Sequence, residues 1–268
     1  MSLARSNLGD FSRSLSVQGR VVHALVLREM RGRYGRSSLG YLWALVEPLL
    51  LVGVFTLGYM LIGRRSPPQG MEFLPFLATG IITYLSMRNI ASRMSGAIES
   101  NRGLLLYPHV TPFDLMIGRL VLEGATFIVV FVVILGGGTM LGYASPPDNP
   151  LMVLLILFYV VLLGAGIGML QAALTMNFPW IDYFMRPFWR LMLWTSGVFF
   201  TLKQLPREAQ DILIWNPVLH VIELLRAAYF PGVEIYRVSY SYVGWWILGT
   251  AFIGLLCERM FRDRRKEK

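Results

Sequence analysis

The sequence predicts an all-α integral membrane protein with six membrane passes, and three observations lead there. Apolar residues make up 55% of the 268, and mean hydropathy is +0.54. Charged residues amount to only 15%, against roughly a quarter in an ordinary soluble domain. Several windows with little or no charge reach about 20 residues, the length that crosses a hydrocarbon core roughly 30 Å thick.

The elements follow in chain order. Over 15–35, Val22, Leu25, Val26 and Met30 recur at helical spacing with Arg20, His23, Arg28 and Arg31 between them. That pattern predicts an amphipathic helix lying in the membrane interface. The first pass, 39–62, is interrupted only by Glu47 and Pro48. A charge at the bilayer centre costs at least about 2.5–3.5 kcal/mol. Glu47 is therefore expected either to take a local partner, such as Arg36 or a tyrosine near the headgroups, or to line a polar pathway or subunit seam. Pro48 removes a backbone donor and is expected to bend the helix.

The second pass, 73–97, is uncharged to Met87 and then turns amphipathic through Arg88 and Arg93. The segment 99–113, "ESNRGLLLYPHVTPF", carries an apolar patch of Leu104, Leu105, Leu106 and Tyr107 in what should be a water-facing loop. Such a patch predicts a protein docking surface, or else a helix lying on the membrane. The third pass, 115–143, holds Arg119 and Glu123 at i, i+4, where they are expected to pair on one face, and Gly136, Gly137 and Gly138 near its end. The fourth, 151–176, has no charge. Its Gly164 and Gly168 form a G-x-x-x-G that permits close helix packing, within or between subunits.

The fifth pass, 184–202, has Arg186 and Arg190 at one end. Residues 204–232 then form two short half-apolar pieces broken at Pro217 and Pro231, read as re-entrant or interfacial helices on the outer side. The sixth pass, 238–258, leads into a basic tail, 259–268. With both termini cytoplasmic, nineteen of the twenty-five lysines and arginines fall inside and six outside, which favours six passes over seven. Aromatic residues, among them Trp189, Phe200, Trp245 and Trp246, read mainly as an interfacial belt. A minority on the first and fifth passes is placed to stack on sugar faces, while arginines attract carboxylates or phosphates.

Other function classes are poorly supported. The formal charge of +9 is almost all arginine, since Lys203, Lys266 and Lys268 are the only lysines. In a membrane protein this predicts positive-inside loops and anionic lipid rather than nucleic acid. The lone Cys257 offers neither a disulfide nor a cysteine metal site. The first twenty residues contain no apolar h-region, so no cleavable signal peptide is expected. His23, His109 and His220 are far apart, and neither a G-x-S-x-G elbow nor a Gly-Lys-Ser/Thr loop is present. The expectation is a chain with no catalytic, cofactor-binding or metal residues, which does not hydrolyse ATP by itself.

Four stretches, in order, resemble one family: "LREMRGRYGRSSLGYLWALVEPLL" at 27–50, "SGAIESNRGLLLYPHVTPFD" at 95–114, "GIGML" with "FP" across 166–179, and "WNPVLHVIELLRAAYFPG" at 215–232. They are similar to the ABC-2 type permeases that export polysaccharides, above all the capsular polysaccharide exporters of Gram-negative bacteria (the KpsM type). The resemblance implies an inner-membrane homodimer of six-span subunits, each bound to a separate cytoplasmic ABC ATPase that carries the ATP and Mg. The implied cargo is a lipid-linked acidic capsular polysaccharide. A periplasmic co-polymerase-like adaptor and an outer-membrane exporter would take it onward.

On this reading Leu25, Arg28, Arg31, Arg33, Asn101, Leu104, Leu105, Tyr107, His109 and Phe113 couple to the ATPase. Tyr41, Trp43, Glu47, Tyr59, Arg88, Arg93, Arg186, Arg190, Trp194 and Phe199 line the pathway. Trp215, Asn216, Pro217, His220, Glu223 and Arg226 form a periplasmic gate. An O-antigen or teichoic-acid permease of the same superfamily is the nearest alternative. A secondary transporter is a further one, although the chain shows no inverted repeat. A membrane enzyme acting on lipid-linked sugars would need clustered acids or histidines that the loops do not supply.

Overall fold

Ten α-helices carry the chain in a computed structural model that describes residues 2–34, 39–61, 70–107 and 110–266. Arg36, Arg64, Arg65, His109 and Lys268 lie outside the described residues, as do the side chains of Arg5, Arg13, Arg33, Tyr41 and 260–266. No strand occurs among the described residues.

Helix α1 (Ser2–Tyr34) is longer than the 15–35 expected. Its C-terminal half lies along α4, where Gly118 lets Leu25 approach within van der Waals contact. Helix α2 (Leu39–Leu61) stays helical through Pro48. Helix α3 (Phe73–Ser95) is the most enclosed, with Phe76, Leu77, Ile81, Ile82, Met87 and Ile90 all buried. A 3-10 segment (Glu99–Leu106) follows, and α4 (Pro112–Phe131) passes through a π-helical turn (Val132–Gly136) into α5 (Gly137–Met140). Then come α6 (Pro150–Asn177), α7 (Ile181–Thr195), α8 (Arg207–Leu213), α9 (Pro217–Tyr229) and α10 (Tyr240–Lys266).

Three of these helices begin on a polar cap followed by proline at the first helical position. Thr111 caps α4 in a reciprocal box with Asp114, Asn149 caps α6 and Asn216 caps α9. The cap oxygen accepts an otherwise orphaned N–H, and proline has no N–H to waste.

Helix α6 is the spine of the bundle, with α3 on one side and α10 on the other. A Cβ added at Gly168 would lie 2.9 Å from Met94 Cβ, and one at Gly164 would lie 3.1 Å from Ile90 Cβ. The G-x-x-x-G contact is therefore intramolecular. On the other side, a Cβ at Gly254 of α10 would fall 2.8 Å from Met169 Cβ. Small residues bring backbones together where lipid supplies no hydrophobic drive between helices.

The six passes predicted are not all alike in the structure. Four described helices are long and apolar enough to cross a membrane, within Leu42–Tyr59, Pro112–Met140, Pro150–Asn177 and Tyr240–Cys257. The α8–α9 pair, bent by 107°, could make a fifth as one broken span. Helix α3 has the length but carries Arg88, Asn89 and Arg93 in its last turns. The segment 184–202, expected as a fifth pass, is not one continuous helix. Helix α7 stops at Thr195 after 15 residues, about 22 Å of rise, and the chain turns back through a buried bend at Gly197 (φ 73°).

Candidate functional site

Helices α2, α3, α4 and α7 surround a cleft of about 740 Å³. Glu47 and Leu51 line it from α2, Tyr84, Arg88, Asn89 and Arg93 from α3, Arg119 from α4, and Arg186, Trp189 and Arg190 from α7. Five residues expected along a pathway, Glu47, Arg88, Arg93, Arg186 and Arg190, are thus brought together from three helices. A side cavity of about 310 Å³ shares Glu47, Arg88, Asn89 and Arg93 and adds Trp43 and Glu123. A third hollow beside α1, about 810 Å³, is lined by Arg28, Glu29, Arg31 and again Arg93. Arg93 therefore borders all three spaces.

The ion pairs in and around the cleft differ in tightness. Glu47 reaches Arg88 at 3.7 Å, and Glu123 reaches Arg93 at 3.9 Å. Both members of the i, i+4 set on α4 also reach other helices: Glu123 meets Arg93 of α3, and Arg119 meets Glu29 of α1 at 3.3 Å. Arg119 also donates to the Arg93 carbonyl (2.9 Å) and to Ser100 Oγ (2.7 Å), so it fastens α1, α3 and α4 at one point. Arg186 and Arg190 have no ion-pair partner among the described residues, and both are exposed to the cleft. Tyr84 Oη donates to the Trp189 carbonyl, holding α7 against α3.

Next to the cleft lies an aromatic group. Phe199 packs on Phe55 and Trp194 with ring centroids 4.4 and 4.9 Å apart, and Tyr59 Oη donates to the Phe199 carbonyl at 3.0 Å. Tyr59 in turn tilts against Phe73. The four aromatics expected on the pathway within the described side chains thus fall into two places: Tyr59, Trp194 and Phe199 here, and Trp43 at the rim of the side cavity, largely exposed.

The expected coupling residues form a second locality. Leu25, Leu104, Leu105, Val110 and Phe113 pack on a small core with Ile98, Leu115 and Met116. Asn101 is buried and accepts from Arg28 Nη1 at 3.1 Å. Gln18 Nε2 donates to Asp114 at 3.0 Å, a tie the sequence reading missed. The predicted apolar patch is therefore split. Leu104 and Leu105 turn inward, while Leu106 (87% exposed) and Tyr107 (62%) face outward. Arg31 is exposed on α1.

The residues expected to gate are mostly internal fasteners. Arg226 is fully buried and donates to the carbonyls of Gly197 (2.6 Å), Val198 (2.8 Å), Phe200 (2.9 Å) and Phe76 (3.3 Å). Its guanidinium sits 4.0 Å from the Phe76 ring centroid, and Glu223 lies 3.5 Å away. Glu223 also accepts from Leu202 N at 3.3 Å. His220 bridges the Ile214 carbonyl (2.7 Å) and the Ser239 N–H (3.1 Å), which requires its proton on Nε2, and stacks on Tyr242. Asn216 caps α9 and donates to Ser196 Oγ (3.0 Å), with Pro217 buried behind it. Trp215 alone of the set is largely exposed. No group of histidine, cysteine and acidic residues that could hold a metal occurs among the described residues.

A helical membrane bundle with a small core tying α1 to the segment after α3, a cationic cleft and the bent α8–α9 pair is the arrangement of a transport domain. The chain belongs to the ABC-2 type transporter family, whose pattern it matches over residues 20–230. Among named relatives, it is 35% identical to the polysialic acid transport protein KpsM of Escherichia coli, covering 91% of this chain and 94% of that protein. It is 29% identical to the capsule polysaccharide export inner-membrane protein BexB of Haemophilus influenzae, over 94% of each. Against CtrC of Neisseria meningitidis serogroup B, named likewise, identity is 30% over 82% of this chain and 83% of the other.

Proposed function

We propose that this chain is the inner-membrane permease subunit of an ATP-driven exporter that moves a lipid-linked acidic capsular polysaccharide from cytoplasm to periplasm. Both termini are cytoplasmic. The chain works as a homodimer with a separate ABC ATPase dimer that binds ATP and Mg. It passes cargo to a periplasmic adaptor and an outer-membrane exporter. The observation that carries the cargo class is the convergence of Arg88, Arg93, Arg186 and Arg190 on one cleft, with two of the four lacking a counter-charge among the described residues. Guanidinium groups pair with carboxylates and phosphates in a planar, two-toothed geometry.

The second copy is supported by α2. Only 11% of its membrane window is buried within the chain and 17% of that of α10, against 50% for α4–α5 and α6, and of the two exposed spans only α2 carries a residue, Glu47, that borders the cleft. In the working cycle, closure of the ATPases pushes on the 3-10 segment and α1. That push reaches the cleft through Arg119, which ties Glu29, the Arg93 carbonyl and Ser100 together. The acidic chain then slides past Arg186 and Arg190 and along the Tyr59, Trp194 and Phe199 rings.

The test is transport by the complete exporter carrying Arg186→Gln with Arg190→Gln. Export of an acidic polymer should fall about tenfold or more, what losing a charge-assisted hydrogen bond corresponds to, with ATPase assembly intact. Undiminished export of the acidic chain would remove the cleft from the pathway.

A further inference from the structure

Resting on this reading of the cleft as a polyanion site, the geometry points to Glu47 and Glu123 as internal stand-ins for the cargo's acidic groups. They hold Arg88 and Arg93 while the cleft is empty and release them to the polymer when it arrives. Their pairs lie at 3.7 and 3.9 Å, the loose edge of ion-pair distance; both members of the first are partly exposed (34% for Arg88, 41% for Glu47), while the second joins an open Arg93 (52%) to a buried Glu123 (7%). A pair built for rigidity looks different here. Arg119–Glu29 closes to 3.3 Å with Arg119 only 13% exposed, and Arg119 makes two further hydrogen bonds. The two carboxylates also approach from different helices, Glu47 from α2 and Glu123 from α4, while both arginines stand on α3. Each pair therefore spans a helix seam, Glu47–Arg88 in the cleft itself and Glu123–Arg93 where the side cavity meets it at Arg93.

The exchange has a physical purpose. A polymer that must slide gains nothing from a site that grips it. Four arginines without counter-ions would bind a polyanion tightly and let it go slowly, because affinity differences appear mainly in dissociation. Swapping one carboxylate for another at Arg88 and Arg93 keeps the number of ion pairs nearly constant as each sugar passes, so successive positions along the chain are close in energy. Arg186 and Arg190, which have no such competitor among the described residues, supply the initial attraction. The same two carboxylates set a threshold: a neutral glycan offers nothing to displace them. Glu47 and Glu123 are on this account positioning and specificity residues, acting through Arg88 and Arg93.

The experiment measures binding of a fluorescent oligogalacturonate, with a neutral dextran oligomer as control, to the full chain in lipid nanodiscs together with its ATPase. Glu47→Gln should bind the acidic probe about two- to fivefold more tightly, the factor an exposed ion pair of this kind contributes, and export more slowly in the same complex. Glu123→Gln should act in the same direction, and Glu47→Asp should stay near wild type. A purely structural role would weaken binding and lower thermal stability together, and could not tighten one while slowing the other. If both glutamine variants fold and bind the probe no better than wild type, the exchange is wrong while the cleft stands. If the wild-type protein binds oligogalacturonate no better than dextran, the cleft reading falls and takes the exchange with it.

Discussion

Arg226 shows what a single side chain contributes to this fold. A buried guanidinium is tolerable only when its donors are met. Here Nη1 and Nη2 meet four carbonyls, three of them in the bend after α7, while Nε is buried without one. Arg226 is thus the fastener that holds Phe199 and its neighbours in place. Arg226→Met should lower stability by about 3–5 kcal/mol, because the bend's carbonyls lose their donor and Glu223 its partner. Arg226→Lys should recover little of it, since an ammonium cannot fan out to four acceptors. Thermal unfolding of the detergent-solubilised protein reads both, and an unshifted midpoint for the methionine variant would contradict the fastener role. The sequence carries a hint of this role. An arginine inside "VIELLRAAYF", flanked on both sides by apolar residues, is a residue to be buried, and a buried arginine in a turn-rich neighbourhood finds carbonyls. Glu47 and Arg88 were each legible as charges set inside apolar runs, but that they pair depends on the register of α2 against α3, which spacing along one helix does not encode.

At the scale of elements, α6 decides the packing, and its glycines are where that packing is most exposed to test. Gly168→Ala puts a methyl 2.9 Å from Met94 Cβ and 3.1 Å from the Ala91 Cα, where the second neighbour is backbone and cannot rotate aside. We expect a loss of about 1–3 kcal/mol, the usual cost of overpacking. Gly249→Ala on α10 meets open space within the chain and should be neutral or slightly stabilising by helix propensity. Comparing the two thermal midpoints separates close packing from mere loss of glycine; equal midpoints would deny the α3–α6 seam its tightness. Element existence was legible from long apolar runs, and α6 in particular needed nothing more. Starts are encoded locally, although apolar runs alone place two of them at 115 and 151 and make Pro217 a break: Thr111–Pro112, Asn149–Pro150 and Asn216–Pro217 are cap–proline pairs, and each opens a helix. The end of α7 is not. Its apolar run continues to Leu202, while Ser196 and the left-handed Gly197 turn the backbone, and that turn is held by the distant side chains of Asn216 and Arg226.

For the whole molecule the deciding contact under the proposed function is with the ATPase, and exposure narrows where it falls. An apolar residue facing water is a docking candidate; one facing its own core is not. Leu105 packs with Leu25 and Phe113 on the core that joins α1 to α4, so a probe placed there reports on the permease itself. Leu106 and Tyr107 stand outward at the end of the 3-10 segment, with Arg102 exposed nearby. Single cysteines at Leu106 and at Leu105, each with Cys257→Ala, therefore form a matched pair one residue apart. In native membranes, Leu106→Cys should crosslink to the cytoplasmic ATPase in good yield, and more so when ATP binding presses the two together. Leu105→Cys should give little product and should lower thermal stability, because it opens a space in the small core. Equal capture at both positions would mean that the segment unwinds on docking, and that the inward packing of Leu105 belongs only to the free permease. Capture at neither, with transport intact, would place the ATPase elsewhere and leave Arg119 without the push that the cleft needs.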